Sequence, residues 1–381
     1  MTKRHHSGNI LFVNKDTRPP RCCVVNEKER VMITINFKPK AVVKNLLKSL
    51  GERPREVVVR RYGLGKEADK MTLESIGKLY DITRERVRQI ENHAIASIQK
   101  SKEYEAEQAA FSELENLLHS MGGVMAEEDL LDGVSKDPSI QNHIYFMLVL
   151  GRVFKWQKED EYFKHRWHID DEHAHKVEDA LKKLYKNLKD DEIIPESEML
   201  EAFLGHLETI NDKYRNDEIL KRWLKISKGV AKNPLGEWGV ASSSNIRAKG
   251  MRDYAYLVLR KHGSPIHFRE VAKQIEKVFD KKAHVATTHN ELIKDPRFVL
   301  VGRGLYALKE WGYVTGVVKD VIKNILEKHG PLTKKEIIEK VMKERYVKEN
   351  TILVNLQNPK HFKKDKEGKY SSATVEAIKQ A

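Results

Sequence analysis

Cysteine is nearly missing from this chain: two residues in 381, Cys22 and Cys23, adjacent to one another. Neighbouring cysteines cannot staple distant segments, so a disulfide-built secreted fold is excluded and a reducing compartment, the cytoplasm, is expected. Long apolar runs are missing too. No stretch approaches the ~18 uncharged apolar residues of a membrane span, and Met1 to Gly8 holds charges and His5-His6 where a signal peptide would have its apolar core. No Ser/His/Asp or Cys/His arrangement stands out, so no catalytic residue, cofactor or small-molecule substrate is expected. Tyr62-Gly63-Leu64-Gly65-Lys66 imitates part of a phosphate loop without its Gly-x4-Gly-Lys-Ser/Thr spacing, and Gly302-Arg303-Gly304 falls in an expected hairpin turn. His165, His168, His173 and His175 lie close in sequence. They have no cysteine beside them and no helical i, i+4 pair aimed at one point, so no metal site is expected.

What the chain does have is positive charge. Lys and Arg number 70 against 56 Asp and Glu, for a formal net charge of +14 and a pI near 9.4. Such a balance favours an acidic polymer as partner, nucleic acid ahead of an anionic membrane surface. Hydrophobic residues make up 40%, enough for several small cores, and the length suits two to four domains.

Residues 1–34 are polar around Arg18-Pro19-Pro20-Arg21 and read as an N-terminal arm, ending in a short apolar stretch from Val31 to Phe37. Residues 35–103 carry a helical pattern. Val42, Val43, Leu46, Leu47 and Leu50 form one apolar face, Gly51 is expected to end that helix, and Pro54 to stand in the first turn of the next. The remainder repeats itself at roughly seventy residues, anchored on Ala126, Pro195, His267 and Thr333. Each unit reads helix, turn, helix and then a hairpin: 153–167, 230–240, 298–307 and 362–371. The expected division is 104–175, 176–248, 249–312 and 313–381. The expected fold class is mainly α: a helix-turn-helix domain followed by an array of winged helices.

The most informative stretch runs from Arg55 to Tyr62-Gly63-Leu64, then from Met71-Thr72-Leu73-Glu74-Ser75-Ile76-Gly77 to Thr83-Arg84-Glu85-Arg86-Val87-Arg88-Gln89-Ile90-Glu91. Thr72 and Thr83 can each cap a helix. Tyr80-Asp81-Ile82 makes a tight connection, and Gly77 permits close approach. On the second helix Val87, Ile90, Ala94 and Ile98 form a stripe to bury. Arg84, Glu85, Arg88, Gln89 and Asn92 fall opposite, as long polar side chains suited to base edges in a major groove.

These residues closely resemble region 4 of the sigma-70 family over about residues 42–101. The resemblance implies that the helix reads a −35 promoter element and that the domain docks on the flap of the RNA polymerase β subunit. By position, Arg84, Glu85, Arg88 and Gln89 would touch bases, while Arg61, Thr72, Leu73 and Arg86 would lie at the backbone of double-stranded DNA. Asn92-His93 departs from the family's usual lysine after the acidic residue. Forty upstream residues leave no room for a promoter-melting region, so a self-sufficient sigma factor is not expected.

A second likeness covers about 251–312: Tyr254-Ala255-Tyr256, the run Gly263 to Val271, Asp295-Pro296-Arg297-Phe298 and Gly302 to Leu308 resemble the HARE-HTH winged helix, with 313–371 as a divergent further copy. It implies nucleic-acid or polymerase contact without catalysis. Lys363, Lys364, Lys366 and Lys369 on the last hairpin are expected at the DNA backbone. The expected function is DNA-binding transcription regulation at initiation. Two alternatives stand beside it: a repressor or nucleoid protein without polymerase contact, and the specificity subunit of a DNA-modification complex.

Overall fold

Helices predominate, with small antiparallel sheets between them. The computed structural model describes residues 33–207, 214–313 and 316–373. Of the expected arm only residues 33 and 34 are described; Cys22, Cys23 and the tail from 374 lie outside the described residues.

The N-terminal helices follow from local signals. Pro39 opens α1 (Pro39–Leu46) at a position where its missing N–H costs nothing. The helix tightens into a 3₁₀ turn at Leu47–Ser49. Gly51, expected to end that helix, instead stands at the N-cap of α2 (Glu52–Tyr62), whose first turn includes Pro54. Gly63 closes α2 in the left-handed region at φ 64°. A Cβ there would meet the Ala68 carbonyl oxygen and Asn142 Nδ2, both at 2.6 Å, so glycine serves the turn and the packing together. Next come α3 (Leu73–Tyr80), α4 (Arg84–Ile98) and a short α5 (Lys102–Ala106).

Four units then repeat one order, three helices and a hairpin, with a short strand before the second helix in three of them. The first holds α6 (Gln108–Ser120), β1 (Val124–Ala126), α7 (Glu127–Val134), α8 (Pro138–Leu150), β2 (Lys155–Gln157) and β3 (Arg166–His168). The second holds α9 (Asp171–Asn187), α10 (Glu196–Leu204), α11 (Asp217–Ile226), β4 (Val230–Lys232) and β5 (Trp238–Val240). In the third are α12 (Met251–His262), β6 (Ile266–His267), α13 (Phe268–Phe279), α14 (Val285–Lys294), β7 (Phe298–Leu300) and β8 (Leu305–Leu308). The fourth comprises α15 (Val318–His329), β9 (Leu332–Thr333), α16 (Lys334–Glu344), α17 (Glu349–Leu356), β10 (Phe362–Lys364) and β11 (Lys369–Ser372).

Hairpin strands fall within or at the edge of each of the four segments read as hairpins. The turn-to-helix junctions hold a further strand that periodicity did not reveal. It pairs with the last strand of its unit, giving the orders β1-β3-β2, β6-β8-β7 and β9-β11-β10. In the second unit a single bridge, Ile194 to Trp238, takes its place. One expected boundary moves. Asp170 accepts from the Glu172 and His173 amides and starts α9 at Asp171, so the first two units divide at 169–170 rather than at 175.

The cores join the units in an order the repeat alone did not suggest. Val42, Val43, Leu46, Val58, Tyr62, Ala94 and Ile98 share one core with Leu114, Leu118, Phe146, Met147 and Leu150 of the first unit. Helix α8 lies against α1 and α2. The Tyr62 and Phe146 rings stand 4.8 Å apart, and Asn142 Nδ2 donates to the Gly63 carbonyl at 3.1 Å. The second unit buries Val124, Ala126 and Phe163 of the first within its own core. The third and fourth units keep separate cores. They meet through Tyr346 N–H donating to the Val301 carbonyl at 2.8 Å, and through Arg345, which donates to the Leu300 carbonyl.

Candidate nucleic-acid interface

Twenty-six contiguous residues, 73–98, build the centre of the site. The Thr72 hydroxyl accepts from the Ser75 amide at 3.1 Å and caps α3; the Thr83 hydroxyl accepts from the Arg86 amide at 3.2 Å and caps α4. Each satisfies an otherwise orphaned helix-start donor. Asp81 takes the left-handed conformation between them, at φ 50°, and the Ile82 amide donates to the Gly77 carbonyl at 2.9 Å. A Cβ on Gly77 would stand 2.6 Å from the Ile82 carbonyl oxygen, so the tight turn needs glycine there. Val57, Ile76 and Val87 are fully buried between the helices, with Met71, Leu73, Tyr80, Ile82 and Ile90 packed around them.

This packing leaves α4 two-sided. Val87, Ala94 and Ile98 point inward and Ile90 is half-buried, while Arg84, Glu85, Arg86, Arg88 and Gln89 are exposed. The outward side chains are organised in pairs. Arg88 donates to both Glu85 carboxylate oxygens, with the shortest bond 2.7 Å, and Arg86 Nη1 donates to Gln89 Oε1 at 3.1 Å. The hydrogen bonds from Arg88 hold the Glu85 carboxyl below the usual glutamate range, and Glu85 in turn raises Arg88. Both pairs lie in water, where such contacts open at little cost.

The residues expected at the DNA backbone are spread over different environments. Thr72 and Arg86 are exposed, Leu73 is half-buried against the helix-turn-helix core, and Arg61 is half-buried. Arg61 lies 3.4 Å from the buried carboxylate of Glu91 and donates to the Met71 carbonyl at 3.2 Å, tying α2 to α4 and to the turn before α3. Burial, and then Glu91 beside it, push the neighbouring Tyr62 hydroxyl far above the normal tyrosine range. This Arg61–Glu91–Tyr62 group escaped sequence reasoning; its only local trace is a glutamate placed among the apolar positions of α4. Tyr80, read as part of the connection, ends α3 and donates to Glu56 at 2.5 Å.

Lys363, Lys364 and Lys366 are exposed and Lys369 is half-buried, all on or beside the β10–β11 hairpin of the fourth unit. Lys369 pairs with Glu367 at 3.2 Å. Asp365 accepts from the Glu367 and Lys369 amides and so shapes the turn. The four histidines are dispersed: His165 stacks on Trp156 at 5.3 Å, His168 is buried in β3, His173 Nε2 lies 2.9 Å from the Gly122 carbonyl, and His175 sits beside Glu178. Among the described residues no group of three or more His, Cys, Asp or Glu is placed to hold a metal ion, and no helix is long and apolar enough to cross a membrane.

Comparison with known proteins falls on the same stretch. Residues 46–100 match the family model for sigma-70, region 4. The chain is 45% identical over 65 residues to the RNA polymerase sigma factor RpoD of Helicobacter pylori, covering 17% of this chain and 10% of that protein. It is 46% identical over 63 residues to the RNA polymerase sigma factor RpoS of Coxiella burnetii, 16% of this chain and 18% of that one. Against the RNA polymerase sigma factor SigA of Microcystis aeruginosa the figures are 44% over 56 residues, 15% and 13%. The chain thus spans less than a fifth of the length of these relatives, and the similarity occupies about a sixth of its own.

Proposed function

We propose that this protein is a non-enzymatic DNA-binding transcription regulator that acts at initiation, reading a −35-type promoter element through α4 and contacting RNA polymerase. One observation carries the reading. The exposed face Arg84, Glu85, Arg88, Gln89 lies on the second, capped helix of a helix-turn-helix, inside a stretch that matches sigma-70 region 4. A face of that chemistry on a recognition helix fits base edges in the major groove. The relatives, named as RNA polymerase sigma factors, support an initiation role and a polymerase partner; the β-flap as the specific contact and the cytoplasm as the place belong to this proposal. The shared order of helices and strands supports reading the four units as winged helices, with the third, about 251–312, of HARE-HTH type and the fourth, 313–371, a further copy.

A second reading, a repressor or nucleoid protein without polymerase contact, is favoured by a specific feature. The apolar face formed by α1, α2 and α4 is already filled by α8, and protein docking draws on such faces. Purification of the full chain from its native cell separates the readings. Recovery of the polymerase β subunit supports the first, DNA alone supports the second, and a methylase or nuclease supports the specificity-subunit alternative. The base-reading role itself is tested by binding to a −35-containing duplex against a scrambled one at fixed salt. Equal affinity for the two would end the promoter-reading proposal.

A further inference from the structure

The charge of this chain is not spread along it. Residues 1–103 hold 23 Lys and Arg against 12 Asp and Glu, and residues 249–381 hold 28 against 16. Between them, residues 104–248 hold 19 against 28, a net −9 in a chain whose total is +14. The acidic middle coincides with the first two units and the basic end with the last two.

The third helix of each unit follows the same division. In the first unit α8 is buried under α1 and α2, with Phe146, Met147 and Leu148 inaccessible. In the second, α11 lies across β1, and Trp223 donates to the Gly122 carbonyl at 3.2 Å. By contrast α14 packs on α12, α13 and β7, and α17 on α15 and α16, all within their own units. Their outward positions mix polar and apolar residues: Thr287 and Asn290 beside Val285 and Ile293 on α14, Asn350 and Thr351 beside Val354 on α17. The hairpins divide likewise. The first unit's hairpin connection carries Glu159, Asp160 and Glu161, whereas the third unit's turn presents Arg303 and the fourth unit's hairpin Lys363, Lys364 and Lys366.

We infer that the third and fourth units form a second contact to double-stranded DNA, independent of sequence, and that the first and second units stay off the DNA. An open helix beside a basic hairpin can lie along the phosphate backbone. A buried helix in an acidic unit cannot, because its phosphate-facing charge is of the wrong sign within a screening length of about 8 Å. The two basic units are joined through Tyr346 and Arg345 of the fourth and Val301 and Leu300 of the third, so their cations act from one connected platform. This inference stands on charge and helix accessibility and does not depend on what α4 reads.

The test uses the full chain and a random-sequence duplex, with affinity measured by fluorescence anisotropy across a salt series. Each phosphate contact contributes roughly −0.9 to the slope of log K against log salt. The variant Arg303→Ala, Lys363→Ala, Lys364→Ala, Lys366→Ala should flatten that slope by up to about 3.6 units. A control that removes as much charge from exposed positions of the central units, Lys158→Ala, Lys183→Ala, Lys186→Ala, Lys189→Ala, should leave it unchanged. Circular dichroism should be the same for both. An unaltered slope in the first variant overturns the inference, as does equal flattening in the two, or tighter binding of a single strand than of the duplex. Arg88→Ala with Gln89→Ala separates this contact from the promoter-reading one, since that variant should lose discrimination between duplexes while keeping most of the random-duplex slope.

Discussion

Arg88 and Gln89 show how the outward face of α4 is organised by its own side chains. Glu85 engages Arg88 and Arg86 engages Gln89. Exposure keeps those pairs weak. Arg88→Ala or Gln89→Ala should reduce affinity for the specific duplex roughly tenfold to a hundredfold, with far smaller loss on random DNA; titrating both duplexes at one salt concentration measures the difference. Gly77 is a different case, structural and unforgiving. Its absent Cβ would press on backbone at 2.6 Å, which no rotamer change can relieve. Gly77→Ala should therefore cost about 1–3 kcal/mol, read from the midpoint of urea unfolding.

At the level of elements, charged ties complement the apolar packing between helices and hairpins. Glu196, at the start of α10, takes Lys221 of α11 at 2.8 Å, Lys232 of β4 at 2.7 Å, and the indole of Trp238 in β5 at 3.2 Å. Burial disfavours its charge, but the two lysines and the tryptophan outweigh that and hold the carboxyl down at about 2. A depressed carboxyl stabilises the fold above its unfolded value and loses that contribution as pH falls through the folded one. Glu196→Gln should thus lower stability by about 1–2 kcal/mol at pH 7. The deficit should narrow as pH drops from about 4.5 towards about 2, and denaturant titrations at pH 7 and pH 3 compare the two. A deficit independent of pH would mean that the ion pairs contribute nothing. Helix α8 shows what elements do beyond their own unit: Ile144, Phe146, Met147, Leu148 and Leu150 are all inaccessible, and part of what covers them belongs to α1 and α2.

On the scale of the whole molecule, the helix-turn-helix is not a free-standing bead. Val42, Val43, Leu46 and Tyr62 are buried against the first unit, and cutting after residue 103 would expose them. Residues 35–103 alone should unfold without a cooperative transition, whereas 33–170 should melt as one body; calorimetry of the two fragments tests this. A cooperative 35–103 fragment would show that the shared core is incidental. The same joint couples the exposed face of α4 to an acidic body, and the basic units follow beyond it.

Much of the candidate site was legible because it is local. Caps at Thr72 and Thr83, the stripe Val87, Ile90, Ala94, Ile98 and the glycine at 77 all act within one turn or one helix, and nearest-neighbour physics determines them. The repeat of helices and hairpins was legible for the same reason. The short strands β1, β6 and β9 were not, since two or three residues carry no periodicity and exist only because a later strand pairs with them. Nor was the placement of Arg61, whose carboxylate partner lies thirty residues on. Helix α8 did carry a signal, being apolar on nearly every side, which marks a helix for burial from more than one direction. Sequence by itself therefore determined the helix-turn-helix, its outward side chains and the charge of each segment, which are properties of neighbours along the chain. Only tertiary structure decided which third helices are covered and which remain open, because burial depends on apolar surfaces meeting across distances the chain order does not record.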